Sequence, residues 1–535
     1  MKIRYVVTGI VLGVFTSVPV MALAYFGEQN IGLPFPPFDL FDYLARTLPG
    51  SVITFGIDLM INLIRGLNLG STAETAKAAE QAMALLQFAG LGGLLGGVVG
   101  LFARQRLVRQ LPMIGLGLGL LLFILFVPVQ VSLGFPSAGI VASILWLGLL
   151  FGTWGLVLGL LVQGTVQARA EARETTLSRR EALYLGASAL VAVVAGALGL
   201  GSALSRRQPE QAAVPTGDML LPGETSGPAA SPSGEVLAGR IEPAPGTRHE
   251  VTANDEFYRI DINTRAPQVD AEQWQLELGG LVNNPMTLTL QEIRSRPSVS
   301  QYITLSCISN PIAGDLISTS LWTGLRLKDL LDEAGLSPQA QELFIESTDG
   351  FFESVSMEDM MDPRTLLVYE MNGQPLPEEH GYPLRIYIPN RFGMKQPKWI
   401  VRMEAIAREG DGYWVERGWS EKAIVRTTSV IDEVTVQKGE TETALAGGIA
   451  YAGARGISKV EIQIDDGSWT AAELRDPPLS PLTWVQWRHR VTAQPGNHVA
   501  RVRAYDGEGE LQVLEDSPSH PDGATGIHSL PFRTA

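Results

Sequence analysis

The chain has 535 residues, a formal net charge of −15, 45% apolar residues and one cysteine. That length accommodates several domains. The acidic balance excludes a nucleic-acid surface, which needs clustered basic residues against phosphate, and a lone cysteine can neither form an internal disulfide nor hold a zinc or iron–sulfur centre by itself.

Residues 1–205 read as a membrane domain. Five apolar stretches, about 4–26, 83–103, 112–134, 138–163 and 182–204, are each long enough to cross a bilayer at 1.5 Å per residue. The first is taken as an uncleaved span, because Ala22-Leu23-Ala24 makes a weak cleavage site and further spans follow. Stretch 51–67 is different: Thr54, Asp58, Asn62 and Arg65 recur every three or four positions as one polar stripe. Charge bias decides its place. Lys2 and Arg4, then Arg104, Arg106 and Arg109, then Arg169, Arg173, Arg179 and Arg180 all fall on the cytoplasmic side if five stretches span. Residues 51–67 are therefore expected as an interfacial or re-entrant helix on the outer side, or as a partner or quinone contact.

Gly90, Gly92, Gly93, Gly96, Gly97 and Gly100 crowd the second span and predict close helix packing. All six histidines (His249, His380, His489, His498, His520 and His528) come after residue 240. With neither His nor Cys in residues 1–205, no haem is expected in this chain, and electrons would pass through a separate cytochrome or quinone-linked carrier. Ser178-Arg179-Arg180-Glu181-Ala182-Leu183 resembles a twin-arginine export signal with Ala182 in the Phe position; an ordinary positive flank explains the same residues.

Residues 206–247, rich in Pro, Gly, Ala and Ser, read as a disordered linker that tethers the remainder outside the cytoplasm. From 248 to 427 strands and helices mix. Gln275-Leu276-Glu277-Leu278 alternates as a strand, Leu327, Leu330, Leu331 and Ala334 form a helical stripe that Gly335 can cap, and Arg385 opens a short apolar strand ending at Pro389. The order is no regular βαβ repeat, so α+β is the expected class. From 428 to 535 short strands dominate: Val460, Ile462 and Ile464 alternate before the turn Asp465-Asp466-Gly467, and Ala500, Val502 and Ala504 alternate before Asp506-Gly507.

Cys307 ends the apolar run Tyr302-Ile303-Thr304-Leu305-Ser306 and precedes the loop Asn310-Pro311-Ile312-Ala313-Gly314-Asp315. That is a strand presenting a thiol to a loop; a small buried hydrophobe is the plainer reading. Downstream stand Trp322-Thr323-Gly324-Leu325-Arg326-Leu327-Lys328-Asp329, then Tyr369-Glu370-Met371-Asn372-Gly373-Gln374-Pro375-Leu376-Pro377, His380-Gly381-Tyr382-Pro383-Leu384-Arg385 and Gly393-Met394-Lys395-Gln396-Pro397-Lys398-Trp399.

This ordered set, from about residue 250 onward, resembles the sulfite oxidase family of molybdopterin enzymes, including its bacterial sulfoxide-reductase branch. The resemblance implies a multidomain chain: an all-α transmembrane bundle, an α+β sulfite-oxidase-type molybdopterin domain at 248–427, and an all-β Ig-like sandwich at 428–535 that dimerises in the family. It implies a molybdenum–molybdopterin cofactor and oxygen-atom transfer, with Cys307 as the catalytic metal ligand. By the same matching, Asp255, Tyr258, Arg259, Ser347, His380, Arg385, Gln396, Pro397 and Lys398 contact the cofactor. The expected substrate is a small oxyanion or a sulfoxide, the reaction is oxidation or its reductive counterpart, and the membrane lipid anchors the enzyme. A cofactor-free binding module that keeps the fold is the alternative of another class.

Three departures stand out. Pro311 and Ile312 occupy a segment that ends in arginines in sulfite oxidases, Trp419 stands where the family has an active-site tyrosine, and Arg259 is the nearest counterpart of the arginine that grips sulfite. A small dianion needs clustered cations, so the cofactor site is better supported by the residues than a sulfite site.

Overall fold

A computed structural model describes residues 2–53, 55–56, 59–60, 72–103, 107–134, 138–172, 240–408, 410–437, 443–491 and 494–534. The expected fifth span, the Arg179-Arg180 segment, most of the 51–67 stretch and residues 206–239 of the linker lie outside them. The chain divides into two compact units, one formed by Met1–Leu48 with Lys77–Ala213, the other by Pro49–Ala76 with Val214–Ala535.

The first unit is helical. Its long helices run Lys2–Ile31, Thr72–Leu101, Leu111–Leu133 and Gly139–Ala172, and these four are long and apolar enough to cross a membrane. The second helix starts at Thr72 rather than at 83. The preceding turns are rich in alanine, which favours helix without adding enough hydrophobicity to register as a span.

Glycines set the spacing of the helices. A Cβ on Gly96 would lie 1.9 Å from the Gly9 carbonyl oxygen, and one on Gly92 2.6 Å from that of Gly13. Gly115 and Gly155 meet in the same way at 2.1 Å. These close backbone approaches are the packing that the small-residue pattern predicts, although Gly90 faces open space. A short helix, Pro36–Thr47, was not foreseen. Proline at its start presets the first turn, and its Asp39 accepts a hydrogen bond from Gln130 Nε2 at 2.7 Å.

The second unit is built on sheets. Strands β1 (Gln275–Gly280), β2 (Met286–Thr289), β3 (Val299–Ser306), β4 (Ile317–Arg326), β5 (Glu342–Ser347), β6 (Phe352–Ser356), β7 (Leu366–Met371), β8 (Gln374–Pro375), β9 (Arg385–Tyr387) and β10 (Ile400–Ile406) form two of them. One runs β2-β1-β10-β5-β6; the other runs β3-β4-β7-β8, with β9 on β7. Only β1 and β10 pair in parallel among these strands. Together with the interspersed short helices this makes an α+β region.

Helix Leu327–Ala334 turns its stripe Leu327, Leu330, Leu331 and Ala334 into the core shared with β1, β5 and β10. Gly335 ends it at φ +69°, a left-handed position that glycine adopts without a Cβ clash.

Eight further strands follow: β11 (Thr428–Gln437), β12 (Thr443–Tyr451), β13 (Ile457–Ile464), β14 (Thr470–Ala471), β15 (Glu473–Leu474), β16 (Val485–Val491), β17 (Gly496–Asp506) and β18 (His528–Thr534). They form two four-stranded antiparallel sheets, β11-β12-β16-β15 and β14-β13-β17-β18. Ile431, Ala446 and Trp487 of one sheet and Val460, Ile462, Ala500, Val502 and Ala504 of the other share one core, so the alternating residues point inward.

Residues 240–250 are held against these sheets. Arg240 pairs with Glu250 at 2.6 Å, Arg248 with Asp432 at 2.7 Å, and Arg475 donates to the Ile241 carbonyl at 2.7 Å. The last residues of the expected linker are thus fixed mainly by charge-assisted bonds, with Ala244 alone buried, which is why composition does not reveal them.

Candidate functional site

The β3–β4 ladder carries Cys307 one step past its last pair. The Cys307 N–H donates to the Leu316 carbonyl at 2.9 Å, and the loop between is closed by Asn310, whose N–H donates to the Cys307 carbonyl at 3.1 Å while its Oδ1 accepts from the Leu316 N–H at 3.0 Å. The thiol is 7% exposed, lies 3.1 Å from Ser309 Oγ, and contacts Leu316 and Tyr258. Burial raises its pKa, against hydrogen bonds from Ser309.

Tyr258 links the thiol to a group of cations. Burial, then the nearby Cys307, raises its pKa, while Arg385 lowers it. A Cβ on Gly393 would stand 2.9 Å from the Tyr258 hydroxyl, so a side chain there would push on that ring. Arg385, buried at the start of β9, donates to the His380 carbonyl at 3.0 Å and lies 4.9 Å from the Trp322 ring centroid. Burial lowers its pKa to about 10.

His380 Nε2 lies 3.1 Å from the Asn254 carbonyl oxygen, and its ring meets Phe257 edge to face at 5.3 Å. A carbonyl only accepts, so Nε2 carries the hydrogen and Nδ1 is left as an acceptor. Burial, with Lys398 and Arg385 nearby, pushes its pKa down to about 3, so the imidazole is neutral.

Lys398 donates to the Glu379 carbonyl at 3.0 Å, stands 3.5 Å from Asp261 and sits over Trp399. Burial lowers its pKa to about 8, with Asp261 opposing. Arg259 pairs with Asp261 at 2.7 Å through Nε. That pairing engages the residue matched to the sulfite-gripping arginine with a carboxylate of its own chain.

Three of the expected cofactor residues carry buried polar atoms without a hydrogen-bond partner among the described residues: Arg259 Nη2, Ser347 Oγ at the end of β5, and Gln396 Oε1. Gln396 uses its other end to donate to the Arg391 carbonyl at 2.8 Å. Pro397 is buried, and its carbonyl accepts from Ile386 N–H at 3.1 Å. Asp255 is exposed in the turn before Phe257 and joins none of these contacts.

Two sets of residues went unforeseen. Lys395, beside Gln396, is buried against Glu353 at 2.7 Å, and burial outweighs that lysine to push the Glu353 pKa up to about 7. Asn254 and Asn372 form a hydrogen-bonded pair at 2.8 Å. Both asparagines lie inside the motif segments, but only their geometry distinguishes them from turn residues.

Trp419 is 5% exposed in an apolar cluster with Ile308, Phe392 and Met394; it stands edge to face with His520, and its Nε1 has no hydrogen-bond partner among the described residues.

The donor set fits a polar, anionic cofactor. Buried atoms left unbonded are costly unless a ligand meets them, and Arg259 lies within electrostatic range of Lys398. Among the described residues no group of three or more His, Cys, Asp or Glu could hold a metal.

Residues 263–414 match the family model described as "Oxidoreductase molybdopterin binding domain". The chain is similar to the mitochondrial sulfite oxidase of Homo sapiens, 28% identical over 305 residues, covering 48% of this chain and 56% of that protein. It is 27% identical over 339 residues to the sulfite oxidase of Gallus gallus, covering 54% and 72%. The chain spans about half the length of most of the curated relatives it matches. Among solved structures, the sulfane dehydrogenase SoxCD of Paracoccus pantotrophus aligns at a TM-score of 0.48 with 20% identity, over 56% of this chain and 83% of that one.

Proposed function

As the chain belongs to the sulfite oxidase family of molybdopterin oxidoreductases, we propose that it is a membrane-anchored enzyme of two-electron oxygen-atom transfer acting outside the cytoplasm. The observation that carries the reading is the set of unpartnered buried atoms, Arg259 Nη2, Ser347 Oγ and Gln396 Oε1, on residues matched to cofactor contacts.

In this reading Cys307 holds the metal. Arg259, Arg385 and Lys398 supply charge-assisted donors to an anionic cofactor, Ser347 and Tyr258 supply neutral hydroxyls, and Gln396 offers Oε1 as an acceptor, its Nε2 being taken by the Ile388 and Arg391 carbonyls. Neutral His380 offers an acceptor at Nδ1 rather than a fourth cation, Pro397 shapes the wall, and Asp255 stands at the rim. When bound, the molybdenum cofactor supplies the two-electron couple and the site of oxygen transfer. The chain's own part is to fix that group, exclude water around Cys307, and give up the thiol proton on metal binding, since burial keeps the free thiol protonated.

The four apolar helices support anchoring, and the expected fifth span at 182–204 makes the number of crossings odd, which with the basic segments inside carries the sheet unit outside. A separate cytochrome or quinone-linked carrier exchanges the electrons. The two facing C-terminal sheets are read as an Ig-like sandwich that pairs with a second copy. Reduction of a sulfoxide or N-oxide is a second reading, favoured by Trp419: an apolar wall with one unpartnered N–H suits a neutral oxygen acceptor better than a dianion.

Metal and pterin analysis of the purified full chain tests the proposal. Stoichiometric molybdenum is expected, and Cys307→Ser should abolish turnover with secondary structure unchanged, because a hydroxyl is a poor ligand for a soft metal. Full turnover by that variant with molybdenum still bound overturns it.

A further inference from the structure

We infer that Asn372 is a positioning residue: its side-chain amide fixes the course of residues 252–254 and, through the Asn254 carbonyl, the place and tautomer of His380. The inference deepens the reading of His380 as a cofactor contact and rests on it for its consequence in catalysis.

Asn372 sits in the turn between β7 and β8 at φ +50°, a left-handed position that asparagine tolerates better than most residues. Its Nδ2 donates to the Thr252 carbonyl at 3.0 Å and to Asn254 Oδ1 at 2.8 Å. Its Oδ1 accepts from Ser320 Oγ at 2.8 Å and from the Leu321 N–H at 2.9 Å. Both N–H groups and both lone pairs of the amide are engaged.

The orientation is fixed by chemistry. A backbone N–H can only donate and a backbone carbonyl can only accept, so exchanging the amide's oxygen and nitrogen would oppose like groups at Leu321 and at Thr252. Asn254 returns the contact, donating to the Met371 carbonyl at 3.3 Å.

Thr252 is held from its other side by a two-bond exchange with Thr319: its N–H donates to the Thr319 carbonyl at 2.8 Å, and its Oγ1 accepts from the Thr319 N–H at 3.2 Å. The segment is thus clamped between β4 and the β7–β8 turn. Its next residue with a contact to the site is Asn254, whose carbonyl takes the His380 Nε2 hydrogen. Phe257 and Tyr258 follow at once, one packed on His380 and the other on Cys307. One amide therefore governs the start of the segment that reaches both the imidazole and the thiol.

The test uses the full chain in detergent with ring-labelled histidine, the His380 signal assigned by its loss in His380→Gln. In the wild type the ring is expected as the Nε2–H tautomer, unchanged from pH 8 to 5. Asn372→Gly keeps the left-handed turn but deletes the amide. It should retain its melting temperature within a few degrees, while the His380 signal moves from the Nε2–H position toward the average of the two tautomers, because the Asn254 carbonyl no longer holds the Nε2 hydrogen. Asn254→Ala leaves the turn intact and should shift His380 in the same direction. The double variant should shift it no further than the larger single change, because both act through one contact chain.

An unchanged His380 signal in folded Asn372→Gly or in Asn254→Ala overturns the inference and leaves Asn372 a turn residue. Should Asn372→Gly not fold, Asn254→Ala decides alone. These readouts need no cofactor, so a wild-type chain without molybdopterin would sink the proposed function and leave this inference to be judged by the histidine signal.

Discussion

Two buried polar regions of the sheet unit make opposite use of the same atoms. In the first, around Thr304 and Ser480 where β3 meets the C-terminal sheets, these groups answer one another. Thr304 Oγ1 bonds Thr319 Oγ1 and accepts from Trp484 N–H at 2.9 Å; Tyr451 donates to the Thr304 carbonyl at 2.7 Å; Ser480 Oγ bonds the Tyr302 carbonyl and accepts from Leu482 N–H at 3.1 Å. In the second, around Arg259, Ser347 and Gln396, one atom of each is left over. A saturated network rigidifies a junction, whereas leftover polar atoms are costly until something bonds them, which is why the proposed function puts a ligand there.

The comparison breaks most sharply at Thr304. Thr304→Val keeps the shape but strands the Trp484 N–H and the Thr319 hydroxyl, and is expected to destabilise the cofactor-free protein by about 3 kcal/mol in denaturant unfolding. A loss well under about 1 kcal/mol would show that the junction does not depend on this network.

Glu353 lies between the two cases, with Oε1 bonded to Lys395 and Oε2 unpartnered. Its pKa is raised from 4.5 to about 7, so between those values the folded state binds more protons than the unfolded one. Its contribution to stability is therefore present below pH 4.5 and lost as pH rises through about 7. Relative to Glu353→Gln, the wild type should lose on the order of 2 kcal/mol across that window. A parallel pH dependence in the two proteins would mean that Glu353 ionises freely.

The smallest effect is expected at Ser347, where the sign is informative. Ser347→Ala removes an unbonded hydroxyl, so the cofactor-free protein should be unchanged or more stable by up to about 1 kcal/mol. The loaded enzyme should lose its cofactor severalfold faster, read as molybdenum retained on dialysis. Destabilisation of the empty protein would put Ser347 with Thr304 among the structural groups.

Much of this was legible in the chain itself. Apolar stretches of the length of a bilayer, glycines spaced for close helices, the stripe from Leu327 to Ala334 and the alternation at Val460 and Ile462 are local patterns, and local patterns fix elements. The only cysteine stands, as its sequence context suggests, where the apolar strand β3 meets a Pro/Gly loop. The residues matched through the order of motifs are partly gathered by the structure: His380 and Lys398 lie within electrostatic range of each other and of Arg385 and Arg259, and Tyr258 within range of Arg385, while Asp255 is exposed.

Tertiary structure alone decided the rest, because each remaining feature depends on partners far apart in the chain. Asp261 takes Arg259, Glu353 takes Lys395, and Asn372 reaches back to Thr252 and Asn254. Residues 240–250, which composition assigns largely to a linker, are held by Asp432 and Arg475. A sequence states which polar groups exist; only the fold states which of them are satisfied by the protein and which are left for something else to satisfy.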